Sequence, residues 1–230
     1  MGYLALDCTG ETYGCGLLTE GGRFTEVNGL NPRRALLDLP AHLAHLMELS
    51  KLDYRQLKGV GVPLGPGSFT GVRLGITLAK TIAFSSGCEV CAVDTLECLA
   101  DRYRGIFPAR EGAIAVALDA RRGELYCGIF STIQKSRPIL PTGVREPQAF
   151  LQELSRSDGL LALVGAGFAA YPDLVPAGFQ GAVATGCAET TLSMSKLAQR
   201  TKEAAVAGTL TAPGLVSPAY HRQADIQVSG

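Results

Sequence analysis

The sequence predicts an α/β protein made of two copies of one domain. Two observations support this: strand and helix patterns alternate along the first half of the chain, and a motif near the N-terminus recurs after residue 115. Alternating strands and helices are typical of layered α/β architectures. With 230 residues, 47% of them hydrophobic, and no long polar tract, the chain has enough apolar side chains for a substantial core.

The first predicted elements are short strands followed by a helix. Residues 3–27 contain two or three apolar runs, and the Gly21-Gly22 pair predicts a hairpin turn between the last two. Leucines then recur every three or four residues, which predicts a helix over 35–52. Pro40 lies within that range, so the helix either kinks or begins there.

The next elements repeat the strand-then-helix order. "LKGVGVPLG" predicts a short buried strand, and 68–86 predicts a second helix with Ser68 as N-cap and Gly87 as C-cap. "CEVCAV" then predicts a strand, and "DTLECLADRYR" predicts a third helix capped by Asp94 or Thr95.

The recurring motif is the main argument for duplication. Residues 4–18 read LALDCTGETYGCGLL and residues 116–130 read VALDARRGELYCGIF. Aligned without a gap, the identical pairs are Ala5/Ala117, Leu6/Leu118, Asp7/Asp119, Cys15/Cys127 and Gly16/Gly128. Both copies predict a strand, an Asp-containing turn and a second strand. We therefore expect one subdomain over 1–106 and another over 107–230.

The Gly-rich segment "LGPGSFTGVRLG" does not match a phosphate-binding motif. A P-loop needs Lys directly after its last Gly, but Val72 follows Gly71. A nucleophile elbow needs Gly two residues before Ser68, where the chain has Pro66. The three glycines spaced by four instead predict a stripe that lets another backbone pack closely; they are Gly67, Gly71 and Gly75.

Charge and residue usage exclude several classes of function. Lys and Arg together equal Asp and Glu together at 21 each, which gives no general attraction to nucleic acid. The seven cysteines favour reduced thiols, with Cys88 and Cys91 as plain strand residues. His42 and His45 are interpreted as surface or partner-facing side chains, not metal ligands. We expect no membrane span and a cytoplasmic location.

Two acids mark the turns of the duplicated motif. Asp7 and Asp119 each end a first strand, and in a two-domain ATPase such acids face a shared cleft and organise Mg²⁺ through water. In the second copy, however, Arg121 and Arg122 replace the small residues that would wrap a phosphate. An ATP-dependent transferase or kinase that acts by itself is therefore the alternative function, and the arginine turn disfavours it.

Five segments in order resemble the TsaB (YeaZ-type) family: GPGSFTGVRLG, AVDTLECLA, LDARRGELY, VGAGFAAY and SPAYHR. The resemblance spans nearly the whole chain. It implies an actin-like/Hsp70-like (ASKHA) ATPase fold, with two duplicated subdomains of mixed sheets flanked by helices. It also implies a non-catalytic activating subunit of the complex that forms threonylcarbamoyladenosine in tRNA. The catalytic paralogue, TsaD, carries a metal-binding His-x-x-x-His where this chain has Thr95 and Leu99, which are poor metal ligands.

The resemblance also implies partners. The first two helices of such a protein pack against the matching helices of a TsaD-type subunit, or against a second copy in a homodimer. The interface predicted here is Leu43, Leu46, Met47, Gly71, Val72, Gly75, Ile76, Ala79 and Ala83, with Leu36 as further apolar surface. A TsaE-type ATPase is a further partner, and tRNA is reached only through the complex. No metal and no tightly bound cofactor are expected; ATP or ADP would bind at the complex interface, and Asp7, Thr9 and Asp119 would be vestigial nucleotide ligands.

A self-contained RNA-binding module is a third hypothesis, which the neutral charge disfavours. The sequence also offers no patch in which aromatic and basic residues interleave. Only "RQLK" and "ARRG" cluster basic residues.

Overall fold

The structure is a computed structural model that describes residues 1–107, 110–134 and 137–221. The first half contains β1 (Gly2–Asp7), β2 (Tyr13–Thr19), β3 (Phe24–Gly29), α1 (Ala35–Ser50), β4 (Leu57–Pro63), α2 (Phe69–Ser86), β5 (Glu89–Val93) and α3 (Thr95–Arg104). The second half contains β6 (Ala113–Arg121), β7 (Glu124–Ser131), β8 (Leu140–Arg145), α4 (Pro147–Arg156), β9 (Leu160–Val164), α5 (Ala166–Ala170), β10 (Ala182–Ala184), α6 (Cys187–Thr190) and α7 (Met194–Ala207).

The two halves contain matching five-stranded sheets. The first has the strand order β3-β2-β1-β4-β5 and the second β10-β9-β6-β7-β8. In each sheet the first three strands form antiparallel hairpins, and the two later strands run parallel to the central one. Two mixed sheets flanked by helices confirm the predicted fold class.

The helices complete five layers. α1 and α2 cover the outer face of the first sheet, α4 and α5 cover the outer face of the second, and α3 and α7 lie between the sheets. In this middle layer each helix packs on the sheet of the other half. α3, from the first half, packs mainly on β6, whereas α7, from the second half, packs on β1, β2 and β4. The sheets thus fall on either side of residue 106, but the helices do not follow that division, and the subdomain boundary stays a prediction.

Residues at their ends determine where α1 and α2 begin or stop. α1 begins at Ala35 and runs through Pro40, so a start at the proline is wrong. Ser68 caps α2 by accepting a hydrogen bond from the backbone of Gly71, and Gly87 ends it in the left-handed conformation, as predicted. Within the described ranges, no helix is long and apolar enough to cross a lipid bilayer.

Candidate functional site

A cleft of about 640 Å³ opens between the two halves. Its walls come from the turn after β1, the N-termini of α2 and α3, the end of β6 and the segment around α6. The three residues predicted as vestigial nucleotide ligands all line this cleft: Asp7, Thr9 and Asp119. Both acids singled out from the sequence therefore line the same cavity, and their role as nucleotide ligands stays a prediction.

Asp7 is held at the bottom of the cleft by its own turn. Its Oδ1 accepts hydrogen bonds from the backbone N–H of Thr9 at 2.8 Å and from the Thr9 hydroxyl at 2.7 Å. Only 3% of the residue is exposed. Burial raises the pKa of the carboxyl, and the hydrogen bonds from Thr9 oppose that rise.

Asp119 sits in a different kind of turn. Its Oδ1 accepts from the backbone N–H of Arg121 at 2.8 Å, and its side chain is 31% exposed. β6 and β7 stay paired up to Arg121 and Glu124, so only Arg122 and Gly123 form the turn. Both have positive φ, at 56° and 79°, as a type I′ hairpin requires. A turn this tight leaves no loop to surround a phosphate.

The cross-strand pairing shows that the two acids are not equivalent. Asp7 pairs with Gly14, whose counterpart in the repeat is Tyr126. Tyr126, however, pairs with Leu118, because the register of β6 shifts between Asp119 and Arg121. Along β6, the gapless sequence alignment of the repeat therefore differs by one residue from the strand pairing in the structure. Leu118 occupies the register position of Asp7, and Asp119 belongs to the opposite face of the strand.

The Gly-rich segment packs inside the molecule. A side chain at Gly71 would collide with the backbone carbonyl of Cys8, and one at Gly67 would lie 2.7 Å from the carbonyl oxygen of Thr9. A side chain at Gly75 would make only ordinary contacts, the nearest at 3.6 Å to Val62. Close packing was predicted correctly, but the neighbour is the turn after β1 and not a partner helix.

The residues at the position of the paralogue's metal ligands line the cleft. Thr95 begins α3, and its backbone N–H donates to the carbonyl of Gly65 at 2.9 Å. Its hydroxyl is buried and has no hydrogen-bond partner among the described residues. Leu99 lies one helical turn further along the same wall. In the parts of the chain that the structure describes, no three or more His, Cys, Asp or Glu residues cluster as a metal site would need.

The predicted partner interface needs correction. All nine of its residues are buried in the chain's own core, on the inner faces of α1 and α2: Leu43, Leu46, Met47, Gly71, Val72, Gly75, Ile76, Ala79 and Ala83. Their apolar spacing reflects packing on the first sheet. The most exposed apolar side chains of these two helices are instead Leu36, Leu37 and Phe84, at 68%, 71% and 85%.

The histidines and cysteines have ordinary environments. His42 is half-buried and stacks on Tyr13 with ring centroids 5.8 Å apart, whereas His45 is exposed. All seven cysteines are free thiols, and Cys91 lies in β5 as expected. Burial raises the pKa of Cys15 to about 12, so this thiol is unreactive at neutral pH.

Comparisons with known proteins agree with one another. The model of the family described as "TsaD: tRNA N6-adenosine threonylcarbamoyltransferase" matches residues 27–227. The chain is 37% identical over 131 residues to a Bacillus subtilis protein named "tRNA threonylcarbamoyladenosine biosynthesis protein TsaB". The aligned residues make up 56% of this chain and 55%, about half, of that protein. The structure named "YeaZ from Pseudomonas aeruginosa" is 26% identical with a TM-score of 0.75, covering 95% of this chain and 99% of that one.

A more distant structure extends the fold comparison. A polyphosphate/ATP-glucomannokinase from Arthrobacter sp. strain KM has a TM-score of 0.50 at 9% identity, with 90% of this chain and 99% of that chain covered. At that identity the likeness concerns the fold alone. Together with the two matching sheets, it confirms the expected actin-like ATPase fold.

Proposed function

Because the chain belongs to the TsaD family, and within it to the TsaB (YeaZ-type) branch, we propose that it serves tRNA threonylcarbamoyladenosine biosynthesis as a non-catalytic subunit. In this role it binds and activates a TsaD-type catalytic subunit. The observation that carries the proposal is the outer face of α1 and α2, which presents large apolar side chains to solvent.

This outer face consists of Leu36, Leu37, Ala44, Thr77 and Phe84. The inner faces of the same helices pack on the first sheet, so the outer face points away from the molecule's core. Leu36, Leu37 and Phe84 are at least two-thirds exposed. Large apolar side chains exposed on two helices of one face favour a protein interface, and small residues such as Ala44 and Thr77 let a partner helix approach.

The cleft supports a non-catalytic role. The turn after β6 is too short to surround a phosphate, and Thr95 with Leu99 offers no imidazole to a metal ion. An ATP-dependent enzyme acting by itself is the competing function. ATP turnover by the isolated chain that disappears in Asp7→Ala would contradict the proposal.

The remaining partners follow from the same role. In the absence of the catalytic subunit, we propose that the outer face pairs with itself in a homodimer, as an isologous interface does. A TsaE-type ATPase joins the complex, tRNA is bound through the complex, and an adenine nucleotide binds at the complex interface. A cytoplasmic location stays a prediction.

The decisive experiment changes the outer face without touching the core. Leu37→Asp with Phe84→Asp places two charges in the proposed interface, and we expect at least a hundredfold loss of affinity for a TsaD-type subunit in calorimetry, because buried unpaired charges are costly. Reconstituted tRNA modification should fall with it. The matched control is Val206→Asp, which changes an apolar helix residue that is 79% exposed elsewhere. Equal affinity of the double variant and the control would refute the proposed interface.

A further inference from the structure

A second cavity, of about 910 Å³, adjoins the cleft. It lies between the N-terminus of α2, the turn after β6 and residues 218–221. Among the described residues, no Asp or Glu lines it. Its lining includes three aromatic residues, three arginines and a histidine: Phe69, Tyr126, Tyr220, Arg73, Arg121, Arg122 and His221. The three arginines concentrate positive charge beside aromatic rings. Two acids outside the lining face it, since Asp119 lies 3.9 Å from Arg121 and Asp94 lies 3.4 Å from His221.

One wall of the cavity is a fixed aromatic platform. The guanidinium of Arg73 lies over the ring of Phe69, with its carbon 3.8 Å from the ring centroid. Its Nε and Nη2 donate hydrogen bonds to the hydroxyl of Tyr220 at 3.1 and 3.0 Å. These contacts hold the Tyr220 ring, yet the residue remains 60% exposed. The ring is therefore ordered and still has surface available for another planar group.

The end of β6 supplies a cation to the cavity. Arg121, the last residue of that strand, has φ 66°, and its side chain is 87% exposed. Its Nε lies 3.9 Å from Oδ2 of Asp119, which is too long for a hydrogen bond. The guanidinium of Arg121 therefore has donors for an oxyanion bound in the cavity.

We propose that this cavity binds one nucleotide, with the base stacked on Tyr220 and the phosphate on Arg121. Aromatic side chains and arginine planes are the groups on which proteins stack unpaired bases, and arginine pairs with phosphate through parallel hydrogen bonds. The volume is within the range of ligand pockets, about 300–1,000 Å³. The nucleotide is supplied either by a tRNA strand or as a free mononucleotide. The proposal goes beyond the docking role, which needs no contact between this chain and a base, and it departs from the expectation that tRNA and nucleotide bind only through the complex.

Binding to the isolated full chain tests the proposal without a catalytic subunit, so its outcome is independent of the docking interface. A fluorescein-labelled tRNA transcript is titrated by anisotropy, and AMP by calorimetry. Tyr220→Ala removes the stacking ring and Arg121→Gln removes the cation; we expect each to weaken binding about tenfold. Tyr220→Phe keeps the ring beside Phe69 but loses the hydrogen bonds from Arg73, so it should bind more tightly than Tyr220→Ala; equal weakening of the two variants would mean that stacking on the ring contributes nothing.

Arg156→Gln is the matched charge control, because Arg156 is an exposed arginine on α4, away from the cavity. It should bind as the wild type does. Loss in the two cavity variants with the tRNA, and no heat with AMP, identifies an RNA nucleotide; saturable AMP binding that both variants lose identifies a free one. The proposal is wrong if the wild type binds neither ligand, or if either cavity variant binds both as tightly as the wild type. Thermal unfolding midpoints check that every variant is folded.

Discussion

The turns after β1 and β6 contain the same acid in the sequence but have different shapes. After β1, residues 8–12 form a longer loop, and Asp7 at the end of β1 is buried and accepts hydrogen bonds from Thr9 in that loop. After β6, the strands stay paired to a tight turn, and Asp119 is partly exposed beside Arg121. Two copies of one fold have therefore kept their sheet order while losing symmetry at the cleft.

The difference teaches that the fold and the cleft depend on separate sets of residues. The apolar strands and the glycines Gly71 and Gly165 preserve the layers, because a larger side chain at either glycine collides with backbone and a smaller one in the strands leaves a void. Arg122 and Gly123 in the turn after β6 are exposed, so the shape of this turn does not depend on the packing of the layers.

The largest expected effect is at the ion network between α3 and α7, which joins the halves. Arg200 donates to Glu97 at 2.7 Å and to Asp101 at 2.9 Å, and Asp101 also pairs with Arg104. Arg200→Ala leaves Glu97 without this partner and Asp101 with Arg104 alone, and we expect a loss of about 3 kcal/mol in the free energy of unfolding. Denaturant titration measures it. Arg156→Ala, which removes an exposed ion pair on α4, should cost less than about 0.5 kcal/mol.

A loss at Arg200 as small as at Arg156 would mean that the network does not couple the halves. The pKa of Arg200 supports the stronger coupling, because Asp101 and Glu97 raise it in spite of burial, which acts to lower it.

The next effect compares the packing glycines of the two halves. A methyl group at Gly71 would collide with the carbonyl of Cys8, and one at Gly165 would collide with the carbonyl of Ala117. Each Gly→Ala change should cost about 2–3 kcal/mol, since the backbone must move to accept it. Gly165 also has φ 118°, which adds strain in the second half.

Gly75→Ala is the control for these glycines. Its methyl group would meet ordinary contacts, and alanine favours the helix by up to about 1 kcal/mol, so this variant should be neutral or more stable. Thermal melts of all three variants make the comparison. Tolerance of Gly71→Ala would show that the turn after β1 is free to move away from α2.

The smallest effect separates the two acids. Burial raises the pKa of Asp7, so the folded state binds this proton more tightly than the unfolded chain does, and stability is lost as pH rises from 3.8 through the folded-state pKa. Asp7→Asn removes that loss, so its stability relative to the wild type should increase with pH over this window. Asp119→Asn should change stability by less than about 0.5 kcal/mol at pH 7. Chemical denaturation at pH 4, 5.5 and 7 measures both, and a flat difference for Asp7→Asn would mean that its carboxyl is not buried as described.

Much of the fold could be predicted because its signals are local. Leucine spacing located α1, Ser68 and Gly87 bounded α2, and the recurring motif indicated two similar sheets. The interface prediction failed for a physical reason: a helix that packs on a sheet has the same apolar period as one that docks on a partner. Leu43 and Ile76 fit that period but are buried against the sheet, and only their exposure in the structure marks Leu37 and Phe84 as candidate interface residues.

The sequence by itself determined the layered α/β class, the duplication, the helix ends and the absence of a P-loop lysine, since these depend on residue type and on neighbours along the chain. Only the tertiary structure decided the rest. It set the one-residue register shift of β6, which depends on hydrogen bonding to β7. It packed α3 on the second sheet and α7 on the first. It also brought Tyr220 to Arg73, which lie 147 positions apart, because contacts of that separation arise from the packing of whole elements and leave no periodic trace in the sequence.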